Sequence, residues 1–240
     1  MITVLLPPGR LTPGDIVTLD PAEIHHLRVR RAGEVVPVQL RDGQGLLATG
    51  VVRSERGAVQ VVVERAEQVA RPVPLRLAVA AGDRDRFAWL VEKATELGVT
   101  EVVPVETDRT AAVASRIREG QLGRLRRRSL EAIKQCGAPW APVVHPARPL
   151  AELLADTLDG ERWLADRSGQ PPRPGFGIGP VTVLVGPEGG LSDQETESAR
   201  AAGFRPLRLA EHVLRFETAA VAAAACAAAA RVAQPGGLHG

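Results

Sequence analysis

Short apolar runs separated by glycine-containing turns fill the first quarter of the chain. Ile16 to Leu19, Glu34 to Leu40, Leu46 to Val52 and Ala58 to Val63 read as strands. Pro21 to Arg30 breaks that pattern, because a proline at the start and Ile24 and Leu27 at helical spacing predict one short helix. Between Arg65 and Pro74 the periodicity lapses, and Pro72 and Pro74 flank a valine. A linker is expected there, dividing a small β-rich domain at 1–70 from a second domain at 71–240.

Beyond Leu75 apolar strands alternate with amphipathic helices. Leu75 to Ala81 is followed by Phe87, Leu90, Val91, Ala94 and Leu97 on one helical face. Further strands are expected at Glu101 to Pro104, Val143 to His145, Arg162 to Ala165, Val181 to Val185 and Pro206 to Leu209. Helices are expected near 119–136, 149–157, 192–202 and 217–231. This alternation predicts an α/β domain with a parallel sheet.

With 240 residues, 45% hydrophobic and 24% charged, the chain has enough apolar material for one or two cores, which excludes a wholly disordered polymer. No apolar run is long enough to span a bilayer, and Met1 to Leu6 lacks the basic start of a secretory signal. A cytoplasmic protein without a membrane partner is expected. Cys136 and Cys226 stand alone, with no CxxC spacing, so two buried thiols are expected rather than a disulfide scaffold or a zinc site. A net charge of +2 is too mild to announce nucleic-acid binding. The cationic residues are arginines apart from Lys93 and Lys134, and guanidinium suits forked phosphate contacts.

Two segments carry candidate chemistry. Val181 to Val185 discharges into Gly186, Pro187, Glu188, Gly189 and Gly190, followed by Leu191 and a capping box of Ser192 and Glu195. Glycines beyond the carboxyl end of a strand let a ligand approach the main chain closely. The run is neither a dinucleotide fingerprint nor a phosphate-binding P-loop. Gly175, Gly177 and Gly179 precede a strand and read as a flexible connection. The second segment, Arg208 to Ala220, leads into alanines with almost no polar interruption. Such a helix needs burial on several sides, by its own core or by a second subunit, and a homodimer through this domain is expected. Arg215 and Glu217 stand beside this apolar loop, where charges need partners.

LVGPEGGLSDQE, from Leu184 to Glu195, and LAEHVLRFETAA, from Leu209 to Ala220, together resemble the C-terminal signature of the SPOUT methyltransferases. More closely they resemble the RsmE family of 16S ribosomal RNA uridine N3 methyltransferases. EKATELGV at Glu92 to Val99, EAIKQCG at Glu131 to Gly137, His25 to Leu27, and Asp42 with Gly43 match in the same order. The resemblance implies a PUA-like RNA-binding β-barrel at the N-terminus and a C-terminal α/β domain tied in a deep trefoil knot. It also implies S-adenosylmethionine held by the knot loops, through Leu184, Gly186, Gly190, Leu209, Ala210 and Leu214, in a site completed by a second subunit. Glu188, Arg215 and Glu217 become the catalytic candidates, and no metal is required. Ala210 replaces a common glycine, Phe216 takes a usually small or polar position, and Ala138 falls where an arginine normally follows.

Methylation of uridine N3 must remove an imide proton. A cation near the uracil carbonyls stabilises the anion, which suits Arg215, and a carboxylate accepts the proton, which suits Glu188 or Glu217. The structural alternative is that Arg215 and Glu217 pair to fix the loop. Arg124, Arg126 and Arg127, with Arg28, Arg30 and Arg31 on the first domain, are the candidate contacts to 16S rRNA of the small ribosomal subunit. The competing expectations are a different nucleotide, a ribose 2′-oxygen, or a non-catalytic RNA-binding assembly protein.

Overall fold

Alternating valines build the first sheet. The computed structural model describes residues 1–29, 36–55, 58–80, 82–110, 117 and 119–234. In it β1 (Ile2–Leu5), β2 (Ile16–Thr18), β3 (Val36–Arg41), β4 (Leu46–Glu55) and β5 (Ala58–Gln68) lie in the order β1-β3-β4-β5-β2. The β1–β3 pair is parallel and the others are antiparallel. Val38, Leu40, Leu46, Ala48, Val61 and Val63 enclose a core with Val4, Leu19 and Leu27, the last from helix α1 (Pro21–Val29). The expected linker begins later than the sequence suggests, because Leu46 pairs with Gln68 and keeps β5 extended past Arg65. Ladder bonds to β4 override the lapse in periodicity.

The second sheet is parallel throughout. Its strands are β6 (Leu75–Ala80), β7 (Glu101–Glu106), β8 (Val143–Val144), β9 (Arg148–Pro149), β10 (Glu161–Gln170), β11 (Val181–Val185) and β12 (Arg205–Leu207). The order is β12-β10-β11-β6-β7-β8, with β9 also beside β7. Both faces are covered, so β6 and β11 are apolar at consecutive positions. Leu75, Leu77, Val79, Val183 and Val185 point to one core, shared with α2 (Arg84–Glu96) and α6 (Phe216–Val232). Ala78 and Leu184 point to the other, which includes Leu150 and Leu153 of α4 (Leu150–Leu154) and Ala199 of α5 (Asp193–Ala201).

Contacts divide the chain into two compact units, and α3 (Leu122–Cys136) crosses their boundary. Leu130–Ala141 clusters with Met1–Arg71 rather than with the residues around it. The cause is local to the first unit. Gly43 has a φ of 69°, and a Cβ there would meet Leu130 at 2.9 Å and Ala141 at 3.3 Å. Lys134 Nζ lies 2.6 Å from the buried carboxylate of Glu23. Arg41 Nε donates to Gly137 O at 3.0 Å, directly before Ala138. Arg41 is buried, so it does not restore the exposed charge that an arginine at 138 would supply.

Alanine suits α6 because neighbouring chain comes close to it. Gly177 has a φ of 79° and a Cβ there would lie 2.4 Å from Ala227 Cβ, while Arg231 Nε donates to Gly177 O at 2.6 Å. The glycines expected to form a flexible connection therefore include one packed tightly on a helix. At the other end Phe216 is buried against Phe87, and its ring occupies the space a side chain on Gly82 would need. That explains how a large residue is accepted at 216. Of the two thiols expected to be buried, Cys136 is exposed and Cys226 half-buried.

Candidate active site

The carboxyl ends of β11 and β12, beside the middle of β10, open into a cavity of about 350 Å³. Its position beyond parallel strand ends is where open α/β sheets hold ligands, and its size is within the small-molecule range. Five of the six residues expected to contact a cofactor line it: Gly186, Gly190, Leu209, Ala210 and Leu214. Leu184 does not, because strand alternation turns its side chain into the core shared with α4 and α5. The middle of β10, from Leu164 to Arg167, also lines the cavity and was not anticipated, nor were Thr196 and His212.

A tight turn shapes the glycine segment. Gly190 N donates to Pro187 O at 2.8 Å, and Gly190 takes a φ of 75°. The turn presents Glu188 at the cavity wall. Immediately after it the capping box is present, with Ser192 Oγ accepting from Glu195 N and Glu195 accepting from Ser192 N.

The charges are arranged differently from the expected Arg215–Glu217 pair. Glu217, in the first turn of α6, is 8% exposed, and its Oε1 lies 4.0 Å from Arg86 Nε. Arg86 Nη1 also lies 3.7 Å from Glu188 Oε1. A cation from the start of α2 thus stands between the glycine turn and the start of α6. Glu217 Oε2 has no hydrogen-bond partner among the described residues. The N–H groups in the first turn of α6, which lack intrahelical acceptors, add partial positive charge that favours a carboxylate in that turn. Arg215 is exposed at the N-cap of the same helix and makes no capping bond. Neither Arg215 nor Glu217 lines the cavity, whereas Glu188 does.

A second connection reaches the glycine turn from the loop after β7. Glu195 Oε1 accepts the N–H of Asp108 at 2.8 Å, and Ser192 Oγ donates to Asp108 Oδ2 at 2.8 Å. Arg109 Nη1 approaches Gly190 O at 3.4 Å. Neither periodicity nor motif marks Arg86 or Arg109 as a site residue, because each meets the site only through tertiary contact.

Of the candidate RNA contacts, Arg124, Arg126 and Arg127 are exposed on α3. Arg124 pairs with Asp85 at 3.0 Å, and Arg126 donates to Val144 O at 3.3 Å. Arg28 belongs to α1, though its side chain lies outside the described positions, and Arg30 and Arg31 lie outside the described residues. No helix among the described residues is long and apolar enough to cross a membrane.

Comparison with known proteins points the same way as the cavity. Residues 69–228 match a family model described as an RNA methyltransferase domain. The ribosomal RNA small subunit methyltransferase E of Synechocystis is 31% identical over 229 residues, covering 87% of this chain and 71% of that relative. Among solved structures, the enzyme of that name from Neisseria gonorrhoeae, bound to S-adenosyl methionine, superposes with a TM-score of 0.80 at 27% identity, over 94% of this chain and 95% of that one. A Legionella pneumophila protein described as a methyltransferase, in complex with SAM, gives a TM-score of 0.81 at 27% identity, with 95% and 97% covered.

Proposed function

The chain belongs to the ribosomal RNA small subunit methyltransferase E family, and from that premise we propose that it methylates N3 of one uridine in 16S rRNA. It is an S-adenosylmethionine-dependent rRNA methyltransferase. The observation that carries the proposal is the cavity beyond β11 and β12, beside the middle of β10, walled by a glycine turn in a chain whose structural neighbours hold this cofactor.

The residues fit the cofactor. Leu209, Leu214 and Phe216 offer apolar surface to an adenine, and Gly186 and Gly190 expose main-chain polar groups without a side chain in the way. When bound, the cofactor supplies an electrophilic methyl group on a sulfonium. The remaining work is to ionise the imide and hold N3 in line with that methyl. Glu188 is the better placed proton acceptor because it lines the cavity, while Glu217 is buried beside Arg86 and supports the loop. Arg215 follows the lining residue Leu214 and is assigned to the uracil oxygens, where a cation stabilises the anion.

The first unit is read as a PUA-like RNA-binding domain, and the second as trefoil-knotted and dimeric. The knot is supported by α6 packing over β6 and β11, after a β12 that pairs beyond β10. Exposed α6 positions support the dimer. Nucleoside mass spectrometry of 16S rRNA, treated with the purified protein and S-adenosylmethionine, tests the assignment. N3-methyluridine is expected; methyl on ribose or another base defeats it.

A further inference from the structure

We infer that Arg109 is an RNA phosphate-binding residue of this enzyme, fixed on the outer side of the cofactor loop so that the target nucleotide is held at the mouth of the cavity. The inference rests on the methyltransferase reading and adds a substrate contact that the loop motifs do not contain.

The loop carrying Arg109 is built rigidly. Thr107 and Thr110 are 3% and 2% exposed. Thr107 N donates to Thr110 Oγ1 at 2.9 Å, and Thr110 N donates to Thr107 O at 3.0 Å. Between these buried ends, Asp108 is latched to the start of α5 through Glu195 and Ser192. Glu195 therefore serves two segments: one carboxylate oxygen closes the capping box and the other holds the Arg109 loop. Such a latch limits the conformational entropy that a cation on this loop loses when a ligand arrives.

The side chain itself is under-used. Arg109 is exposed, and its hydrogen bond to Gly190 O is long at 3.4 Å. It has no ion pair with a described residue, whereas Arg86, Arg124 and Arg128 each face a carboxylate. A guanidinium with most of its donors unspent suits the forked oxygens of a phosphodiester.

Its place selects RNA over the cofactor. Gly189 and Gly190 line the cavity, but Arg109 does not. A Cβ on Gly189 would touch Arg109 Cδ at 3.4 Å, and one on Gly190 would lie 3.7 Å from Nη1. The guanidinium thus lies against the glycine turn without entering the cavity. Phosphate contacts fix register rather than sequence, so Arg109 acts as a positioning contact beside the chemistry.

Arg109→Ala and Arg109→Lys test this in the full-length protein. Small-subunit particles serve as substrate, and calorimetry gives S-adenosylmethionine affinity. Arg109→Ala should raise KM for the particle about tenfold, leave cofactor affinity within twofold, and reduce the slope of log affinity against log salt by about 1. Arg109→Lys should recover part of the KM loss, since a point charge replaces a fork. A KM unchanged by Arg109→Ala, or a parallel loss of cofactor affinity, overturns the inference while leaving the wild-type activity intact. A wild-type protein that binds S-adenosylmethionine and methylates no small-subunit rRNA defeats the functional assignment first, and the inference with it.

Discussion

Arg86 Nη1 lies 3.7 Å from Glu188 Oε1, joining the first turn of α2 to the glycine turn that walls the cavity. The same guanidinium faces the buried Glu217, so one cation balances two acids on separate segments. Arg86→Ala should cost about 1–2 kcal/mol, below the full penalty for a buried pair because the Arg86 side chain is 41% exposed. Adding Glu217→Gln removes the stranded charge and should return part of that stability. Urea denaturation of the single and double variants measures the coupling; strictly additive losses would show that Arg86 and Glu217 do not interact.

Cofactor binding should be blocked by filling the cavity without disturbing the fold. Ala210 lines it and is half-buried, so Ala210→Leu adds bulk to a space of about 350 Å³. S-adenosylmethionine binding should fall below detection by calorimetry, with the melting temperature of the unliganded protein little changed. Undiminished binding in this variant would move the cofactor elsewhere.

Much of this site was legible as segments, and little of it as contacts. The strand Val181–Val185, the glycine turn and the Ser192–Glu195 capping box can all be read from local pattern, because each is made by neighbours in sequence. Local pattern also misled at Gln68 and Gly177, where pairing with Leu46 and packing on Ala227 decide the conformation. The partner of Glu217 was out of reach for the same reason. Arg86 lies in a different helix, and a nearby Arg215 offered the simpler but incorrect pair.

Acid should weaken the second unit through Glu101. The hydrogen bond with His145 is the largest influence, and with the charge of Arg76 it outweighs burial and holds the Glu101 carboxyl at about 2. A depressed folded pKa stabilises the native state above the ordinary value of 4.5, and that contribution is lost as pH falls from there through about 2. Thermal melts between pH 6 and about pH 2 should show a shallower acid-dependent decline for Glu101→Gln than for the wild type. Identical slopes would remove Glu101 from the acid response.

Lys134 and Glu23 form the most buried ion pair described here, with side chains 15% and 7% exposed. Glu23 Oε2 has no hydrogen-bond partner among the described residues, so the carboxylate depends heavily on the ammonium. Lys134→Met should destabilise by about 3 kcal/mol, and Lys134→Met with Glu23→Gln by clearly less. Chemical denaturation of both variants reads the difference; equal losses would make the pair irrelevant to stability.

The outer face of α6 gives the test of the proposed homodimer. Ala219, Ala220, Ala223, Ala224 and Ala227 are buried in the core of their own unit. Thr218, Ala225, Ala229 and Val232 are exposed and Ala222 is half-buried, on a face where the spacing alternates between three and four residues. That spacing makes a continuous seam of small side chains along one side of a helix, which permits close approach of a second helix. Val232, 62% exposed, ends the seam with a larger apolar side chain. Glutamates at Ala225 and Ala229 stay compatible with helix and touch no core position, so each chain should keep its fold while association is lost. Sedimentation at micromolar concentration should give a dimer for the wild type and a folded monomer for Ala225→Glu/Ala229→Glu. Because the site is proposed to be completed by the second subunit, methyl transfer should fall at least tenfold with the dimer. A wild-type monomer, or a double variant that remains dimeric, would remove α6 as the interface.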